Sequence, residues 1–259
     1  MQLSQVKSAT RAIEILEYFE RVRQPRTMSE IAVALGYPHS SSTVLLKTLV
    51  TLGYLNFDRR ERVYFPTPKV TSLGDWVPRA LFGTSRVREA MHDVHAATGE
   101  GVWIGTKNDV YMQYVQTIQS VHPLRFHTDE YSLRPLTQSA VGWVLMSTLP
   151  DDKLDNLIRR ANIAAEKASD RVQVPEMIDR IRDIREKGYC STENIPYLGG
   201  ATIAILLPVT IQNQPVALGL GGALERIRAN HGRYLAILQQ TVKFMRRDDP
   251  FEQPIEIEF

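Results

Sequence analysis

The sequence predicts an α+β chain in two parts, a small helical domain closed by a β-hairpin and a larger domain of mixed strands and helices. Three observations predict this. Residues 1–70 are punctuated as three short amphipathic helices followed by two β-prone runs. Beyond residue 85, strand-like and helix-like periods alternate over about 165 residues, enough for one large core. No internal repeat or low-complexity tract interrupts either part.

In the first part, Ile13, Leu16 and Phe19 recur every third residue with Ala9 and Ala12 behind them, which predicts a helix ending at the Arg21 to Pro25 break. Thr27-Met28-Ser29-Glu30 has the S/T-x-x-E spacing of a capping box, so a second helix should run to about Leu35, where Gly36 ends it. After Gly36-Tyr37-Pro38, residues 40–52 place Ser42, Leu45, Leu49 and Leu52 on one face, with Leu46 beside them. The opposite face carries Ser40, Thr43, Val44, Lys47 and Thr51. Gly53 closes this third helix. The β-prone residues 54–57 and 63–65 then flank a turn, residues 58–62, that holds Arg59, Arg60 and Arg62. Helix, helix, turn, helix and basic hairpin is the order of a winged helix-turn-helix, whose third helix enters the major groove while the hairpin reaches the backbone.

Val70, Leu73, Trp76 and Val77 keep a helical period, with Gly74 and Pro78 as weak points, so residues 70–90 read as helical and as a connector between domains. In the second part, residues 102–106, 110–116 and 124–127 are strand candidates, followed by helical patterns at 138–149, 153–165 and 174–187. Strands at 202–208 and 215–220 and a helix at about 230–245 complete the domain. The last residues, 246–259, have two prolines and no helical period and read as a poorly ordered acidic tail.

A net charge of +2 on 259 residues neither demands nor excludes an anionic partner. Its distribution says more: residues 1–75 carry +3 and residues 246–259 carry −3. The single cysteine, Cys190, excludes an internal disulfide and a four-cysteine metal cluster and fits a reducing cytoplasm. No window approaches the roughly 20 apolar residues that span a bilayer, and the N-terminus lacks the apolar core of a secretory signal, so a cytoplasmic protein with no membrane partner is expected.

On the third helix, Ser40, Ser41 and Thr43 are small hydroxyls that can approach phosphates or base edges closely, Val44 lies beside them, and Lys47 one turn on can reach phosphate. The competing reading makes residues 40–43 a cap and solvated first turn. The arginines of the 58–62 turn either touch DNA or form a solvated loop. Elsewhere, His92 and His95 share a helical face without a third ligand nearby, Cys190 has no identifiable His–Asp partnership, and Gly219-Leu220-Gly221-Gly222 lacks the spacing of a phosphate loop. No metal or cofactor is therefore expected. Alternation in Leu124-Arg125-Phe126-His127 puts Arg125 and His127 on one strand face, where they suit a carboxylate if they point inward and are an ordinary wet face if outward.

Specific runs of this sequence resemble the IclR family of bacterial transcriptional regulators. VKSATRAIEILEYF, MSEIAVALGYPHSSSTVLLKTLVTLGYL, the Tyr64 hairpin and Leu73-Gly74 resemble its N-terminal domain. HAATGEGVWIG, RPLTQSAVGWVLMSTL, IREKGYCSTENIPYLGGATIAILLPV and PVALGLGGALERI follow in the family's order, so the resemblance covers about residues 6–245. It implies a winged-helix domain (1–70), a linker helix (71–84), a GAF-like effector-binding domain (85–245) and a flexible tail (246–259). It also implies operator binding to double-stranded DNA by dimers or dimers of dimers, modulated by a small organic molecule.

Two departures from the family's pattern matter. Thr43 and Val44 stand where the family often has a polar residue and an arginine, which removes a bidentate guanine contact and leaves Val44 at most a thymine methyl. In the second domain, Asn194 and Ile195 replace an acidic pair, with Glu193 just before them. Carried over by position, the effector cavity includes Ala140, Val141, Thr192, Thr202, Gly219 and Gly221. Glycine at the last two positions implies a roomier, less polar pocket and a larger, aromatic ligand, or else merely a bulge or close packing. The run at 124–127 is similar to family members of aromatic-acid catabolism.

These readings converge on a non-enzymatic regulator of transcription whose effector is a small organic acid. The runner-up is a small-molecule-binding enzyme with an accessory N-terminal domain, and a third reading has a second domain that serves oligomerisation alone.

Overall fold

The computed structural model describes residues 6–74, 86–211 and 213–247. The chain divides into two compact units, Met1–Ala80 and Leu81–Phe259.

In the first unit, α1 (Lys7–Val22), β1 (Arg26–Thr27), α2 (Met28–Leu35) and α3 (His39–Thr51) are followed by β2 (Leu55–Asp58), β3 (Val63–Pro66) and a short α4 (Lys69–Ser72). The strands form an antiparallel sheet in the order β1-β3-β2. This is a winged helix-turn-helix. The α2 N-terminus is capped as its spacing predicts: the Thr27 hydroxyl accepts from Glu30 N at 3.3 Å and the Glu30 carboxylate accepts from Thr27 N at 2.7 Å. Gly36 takes a left-handed conformation (φ 66°), which ends α2 and turns the chain into α3. The core is Ile15, Tyr18, Phe19, Ile31, Leu46, Leu49, Leu55 and Tyr64.

Two expectations about this core are corrected. Ile13 is 57% exposed, because the buried stripe of α1 runs through Ile15, Tyr18 and Phe19, at the three- and four-residue spacing a helix requires. Leu52 is 51% exposed, because α3 ends at Thr51 and Leu52 is its cap, so Leu46 and Leu49 fill the interior instead.

The second unit opens with α5 (Arg86–Thr98), β4 (Gly101–Asn108), β5 (Tyr111–Ile118) and β6 (Leu133–Pro135). It continues through α6 (Ala140–Met146), α7 (Asp151–Ala164), α8 (Val174–Lys187), β7 (Tyr189–Glu193), β8 (Gly200–Ile211), β9 (Gln214–Ala223) and α9 (Leu224–Arg247). The six strands pair antiparallel in the order β6-β5-β4-β9-β8-β7. One face carries α5 and α9 over Val102, Ile104, Ile203, Leu218 and Leu220. The other carries α6, α7 and α8 over Trp103, Met112, Cys190, Ala204 and Ala217. Every residue of α6 is buried, which explains why its sequence, AVGWVLM, is apolar all round.

The strand expected at 124–127 is absent: those residues are an irregular loop between β5 and β6. Of the connecting helix expected at 71–84, α4 covers the start and residues 75–85 lie outside the described ones. The final helix runs through Arg247, so it starts earlier and ends later than its sequence pattern suggests, and residues 248–259 of the expected tail lie outside the described residues.

Candidate functional site

The first unit presents one face of α3 to solvent. Ser40, Val44, Lys47, Thr48 and Thr51 are exposed there, and Val44, Lys47, Thr48, Thr51 and Leu52 line a shallow surface groove. Thr48 was not singled out by the sequence, although its position one turn beyond Val44 places it on this face. Pro38, not a hydroxyl residue, occupies the α3 N-cap. The hydroxyls turn back on the helix instead: Ser41 donates to Pro38 O at 3.0 Å, Thr43 to His39 O at 2.9 Å and Thr48 to Val44 O at 2.9 Å. Their oxygens face outward as acceptors, and a hydroxyl rotation turns each into a donor to phosphate.

The α3 N-terminus is braced from α1. Arg11 lies 4.8 Å over the Tyr37 ring and donates to Ser41 Oγ at 3.4 Å, while the Tyr37 hydroxyl donates to Glu14. At the wing, Asp58 Oδ1 accepts from Arg60 N at 2.7 Å and from Glu61 N at 3.2 Å, which folds the turn. Arg62 takes φ 55° to close it. Arg59, Arg60 and Arg62 are all exposed, and among the described residues none of them forms an ion pair. A turn held by its own aspartate while three guanidinium groups stand free is arranged to meet polyanionic backbone.

The second unit holds a partly open cleft with about 30 Å³ of free space. Trp103 of β4 and Tyr114 of β5 form its floor, Ser139, Ala140 and Val141 at the start of α6 one wall, and Gly200, Ala201 and Thr202 of β8 another. The 195–197 loop and Phe126 and Thr128 of the 119–132 loop close the mouth, with the Phe126 and Tyr197 rings stacked at 5.5 Å and 2°. Four aromatic rings and no carboxylate line this cleft.

The glycines of β9 have a different role from the one their positions suggested. A side chain on Gly221 would come within 2.8 Å of Trp103 Cη2 and of Ala201 O, and one on Gly219 would collide with the Trp103 indole nitrogen. Gly101 likewise leaves its space to Trp103. The three glycines let the indole lie flat on the sheet, so the room expected in the pocket at residues 219 and 221 is occupied by Trp103. Ala140, Val141 and Thr202 do line the cleft. Thr192 is buried behind it, paired in register with Thr202, and its hydroxyl reaches Ile195 O at 3.4 Å.

Arg125 and His127 are exposed and outside the lining, while Phe126 and Thr128 between and after them face in. His127 Nε2 pairs with Asp129 Oδ1 at 2.7 Å on the surface. Sequence reasoning missed an arginine that, although also outside the lining, is held by two residues that do line it, Tyr114 and Tyr197. Arg134 of β6 lies 5.0 Å from the Tyr197 ring centroid and 6.0 Å from that of Tyr114, and its Nη2 donates to the Tyr197 hydroxyl at 2.7 Å. Burial pushes the Tyr114 phenol above its usual range, with Arg134 pulling the other way. Arg134 stands in the run RPLTQSAVG, but one arginine beside a proline has no period to mark it.

The 119–132 loop is anchored from the opposite side of the sheet. The fully buried Glu100 carboxylate accepts from Arg226 Nε and, at 2.9 Å, from Arg226 Nη2, which also donates to Leu124 O at 3.2 Å. His95 Nδ1 lies 2.8 Å from Glu100 O, a structural bond in place of metal ligation. Cys190 is buried beneath α6 and α8, and burial pushes its thiol up to about 12, far from a nucleophile's range. Among the described residues no cluster of His, Cys, Asp or Glu suits a metal ion, and no helix is long and apolar enough to cross a membrane.

Comparison with known proteins assigns both units. Residues 84–246 match the bacterial transcriptional regulator IclR C-terminal domain, and residues 8–59 match the IclR helix-turn-helix domain. The chain is 23% identical over 247 residues to the transcriptional regulator KdgR of Escherichia coli, covering 92% of each, and 22% identical over 237 residues to the transcriptional repressor IclR of the same organism, covering 86% of this chain and 82% of that one. Its second unit resembles the solved effector domain of IclR from Acinetobacter sp. ADP1 at 53% identity and a TM-score of 0.62, over 66% of this chain and 99% of that one. The Thermotoga maritima IclR structure shares the fold along 94% of this chain and 98% of its own, with a TM-score of 0.71 at 17% identity. These relatives are regulators and not enzymes, and a helix-turn-helix with a free basic wing is what such a regulator places on DNA: the chain belongs to the IclR family of DNA-binding transcriptional regulators.

Proposed function

We propose that the protein reads its operator through Ser40, Ser41, Thr43, Val44 and Lys47 of α3, with Arg59, Arg60 and Arg62 of the wing on backbone or minor groove, and that a small organic acid bound in the aromatic cleft modulates this binding. The observation that carries the DNA half is the wing, whose three guanidinium groups have no ion-pair partner among the described residues while Asp58 is committed to the turn. The cleft half rests on a partly open cavity whose walls include Ala140, Val141 and Thr202; its free space is about 30 Å³, so a small metabolite would enter by parting the Phe126 and Tyr197 rings that line it. Thr192, Gly219 and Gly221 act there indirectly, the first behind Thr202 and the glycines beneath Trp103. Arg125 and His127 would reach a ligand only by a rearrangement of their loop. A homo-oligomer is part of this reading, because α3 offers a single cation, Lys47, and one domain alone would bind weakly. The four-part division at residues 70, 84 and 245 goes with it, as does a cytoplasmic location beside the chromosome.

The test is fluorescence anisotropy of the full chain on duplexes from its own upstream region between 50 and 200 mM salt. Replacing Arg59, Arg60 and Arg62 together by Gln should weaken all duplexes alike and lower the salt slope by about 3 for each bound protomer. Val44→Arg should introduce a requirement for guanine opposite that position, absent in the wild type. A wild-type footprint whose tightest base requirement is already a guanine opposite Val44 contradicts the assignment of α3. Affinity that no small carboxylate changes contradicts the effector half.

A further inference from the structure

We infer that Arg134 is the anchor that holds the carboxylate of the effector, and that the effector is an aromatic acid whose ring packs among Trp103, Tyr114, Phe126 and Tyr197. This deepens the reading of the cleft as an organic-acid site and rests on it.

The first argument is an incomplete pairing. The Nε–H and one Nη2–H of an arginine lie on the same edge of the guanidinium, the edge that takes a carboxylate with two parallel hydrogen bonds. In this structure Nη2 donates to the neutral Tyr197 hydroxyl at 2.7 Å. Among the described residues, Nε beside it is shut off from solvent and makes no hydrogen bond of good geometry, although the guanidinium also draws on the Tyr114 hydroxyl. A buried N–H without a partner is costly, and folded proteins leave few of them. A ligand carboxylate that displaces the Tyr197 hydroxyl would satisfy both donors at once.

The second argument is charge. Among the described residues, no Asp or Glu forms an ion pair with Arg134, and no carboxylate lines the cleft. A half-buried cation between two tyrosine rings, at 5.0 and 6.0 Å from their centroids, gains from the rings but lacks the anion that ordinarily accompanies it. Charge complementarity thus selects an anionic ligand.

The third argument is the shape of the wall. The Trp103 indole lies flat on Gly101, Gly219 and Gly221, and the Phe126 and Tyr197 rings stack parallel at the mouth. An aromatic ring would part the Phe126 and Tyr197 rings and extend their stack, whereas a two- or three-carbon acid offers no face for these flat surfaces to pack on. Because Tyr197 both lines the mouth and holds Arg134, a bound acid would also change what the 195–197 loop rests on.

The experiment is calorimetry on the full-length protein with benzoate and its three monohydroxy derivatives, the tightest serving as probe, against its amide, acetate and pyruvate. The probe should bind the wild type, with its amide and the two aliphatic acids about tenfold weaker or more. Arg134→Gln should weaken the probe by about 10- to 100-fold, the range expected for a lost charge-assisted pair, without changing the already weak amide. Arg134→Lys, which keeps the charge but not the fork, should fall between them. Should Arg134→Gln not fold, the carboxylate-to-amide difference in the wild type and the Arg134→Lys value still decide. Probe affinity equal in wild type and a folded Arg134→Gln means Arg134 only clamps the tyrosines, which overturns the anchor and leaves the organic-acid reading standing. Acetate or pyruvate binding as tightly as the probe overturns the aromatic class. Binding of none of these carboxylates to the wild type removes the organic-acid reading and this inference together.

Discussion

At the scale of single residues, the decisive positions are those where one side chain depends on the absence of another. Trp103 can floor the cleft only because residues 101, 219 and 221 have no side chains. Gly221 is the most demanding of the three, since its neighbours at 2.8 Å include the Ala201 backbone carbonyl as well as Trp103 and the Thr202 hydroxyl. A flexible side chain can swing away from an added methyl, but strand β8 cannot move without breaking its ladder with β9. Gly221→Ala should therefore destabilise the protein by about 1–3 kcal/mol through overpacking and should shift the Trp103 emission as the indole is displaced. An unchanged urea midpoint together with an unchanged emission spectrum would show that the indole does not rest on this glycine.

At the scale of elements, short helices need their ends secured, and α2 shows how local sequence does it. With 8 residues, α2 has little stability of its own, and the Thr27–Glu30 exchange satisfies two backbone N–H groups, of Thr27 and Glu30, and the Thr27 hydroxyl at its start. The Thr27 backbone N–H, with the Thr27 hydroxyl second, holds the Glu30 carboxyl below its ordinary value. A carboxyl lowered in the folded state contributes stability above its unfolded value and loses it as the pH falls through the folded one. Thr27→Ala should cost about 1 kcal/mol at neutral pH, and its deficit relative to wild type should shrink as the pH is taken through and below 4.5. A deficit that stays constant down to pH 3 would mean that the Thr27 hydroxyl does not act on the Glu30 carboxylate. This element was legible because everything that forms it lies within four residues. The same holds for the Gly36 turn and the Asp58–Arg62 wing. What escaped the sequence depends on contacts between distant segments: the Trp103 seat joins residues more than 110 apart, and Arg134 meets Tyr197 across 63 positions. The run 124–127 alternates like a strand but has no neighbour to pair with, because β6 takes the edge of the sheet beside β5, so alternation alone misled.

At the scale of the whole molecule, the two units are separate packed bodies, each with its own core, and regulation requires that an event in one alter the free energy of the other. An effector can do so only if it binds the DNA-bound and free arrangements unequally, and the coupling must then be the same in both directions. The charge map makes this coupling matter. The net charge of +2 includes +3 on the DNA-binding segment, concentrated in its wing and flanks, and α3 itself contributes only Lys47. In the oligomeric reading proposed above, affinity would depend heavily on backbone contacts and on engaging two half-sites at once, and a modest change in how two DNA-binding units are spaced would change occupancy. If the aromatic acid that binds best shifts operator affinity by a given factor, within the roughly 5- to 150-fold range of such couplings, saturating operator must shift the acid's affinity by the same factor. Anisotropy titrations with and without saturating acid, and calorimetry of the acid with and without operator at the same salt, measure the two factors independently. Acid binding that is indifferent to operator would uncouple the cleft from the wing and leave the second unit without a regulatory role.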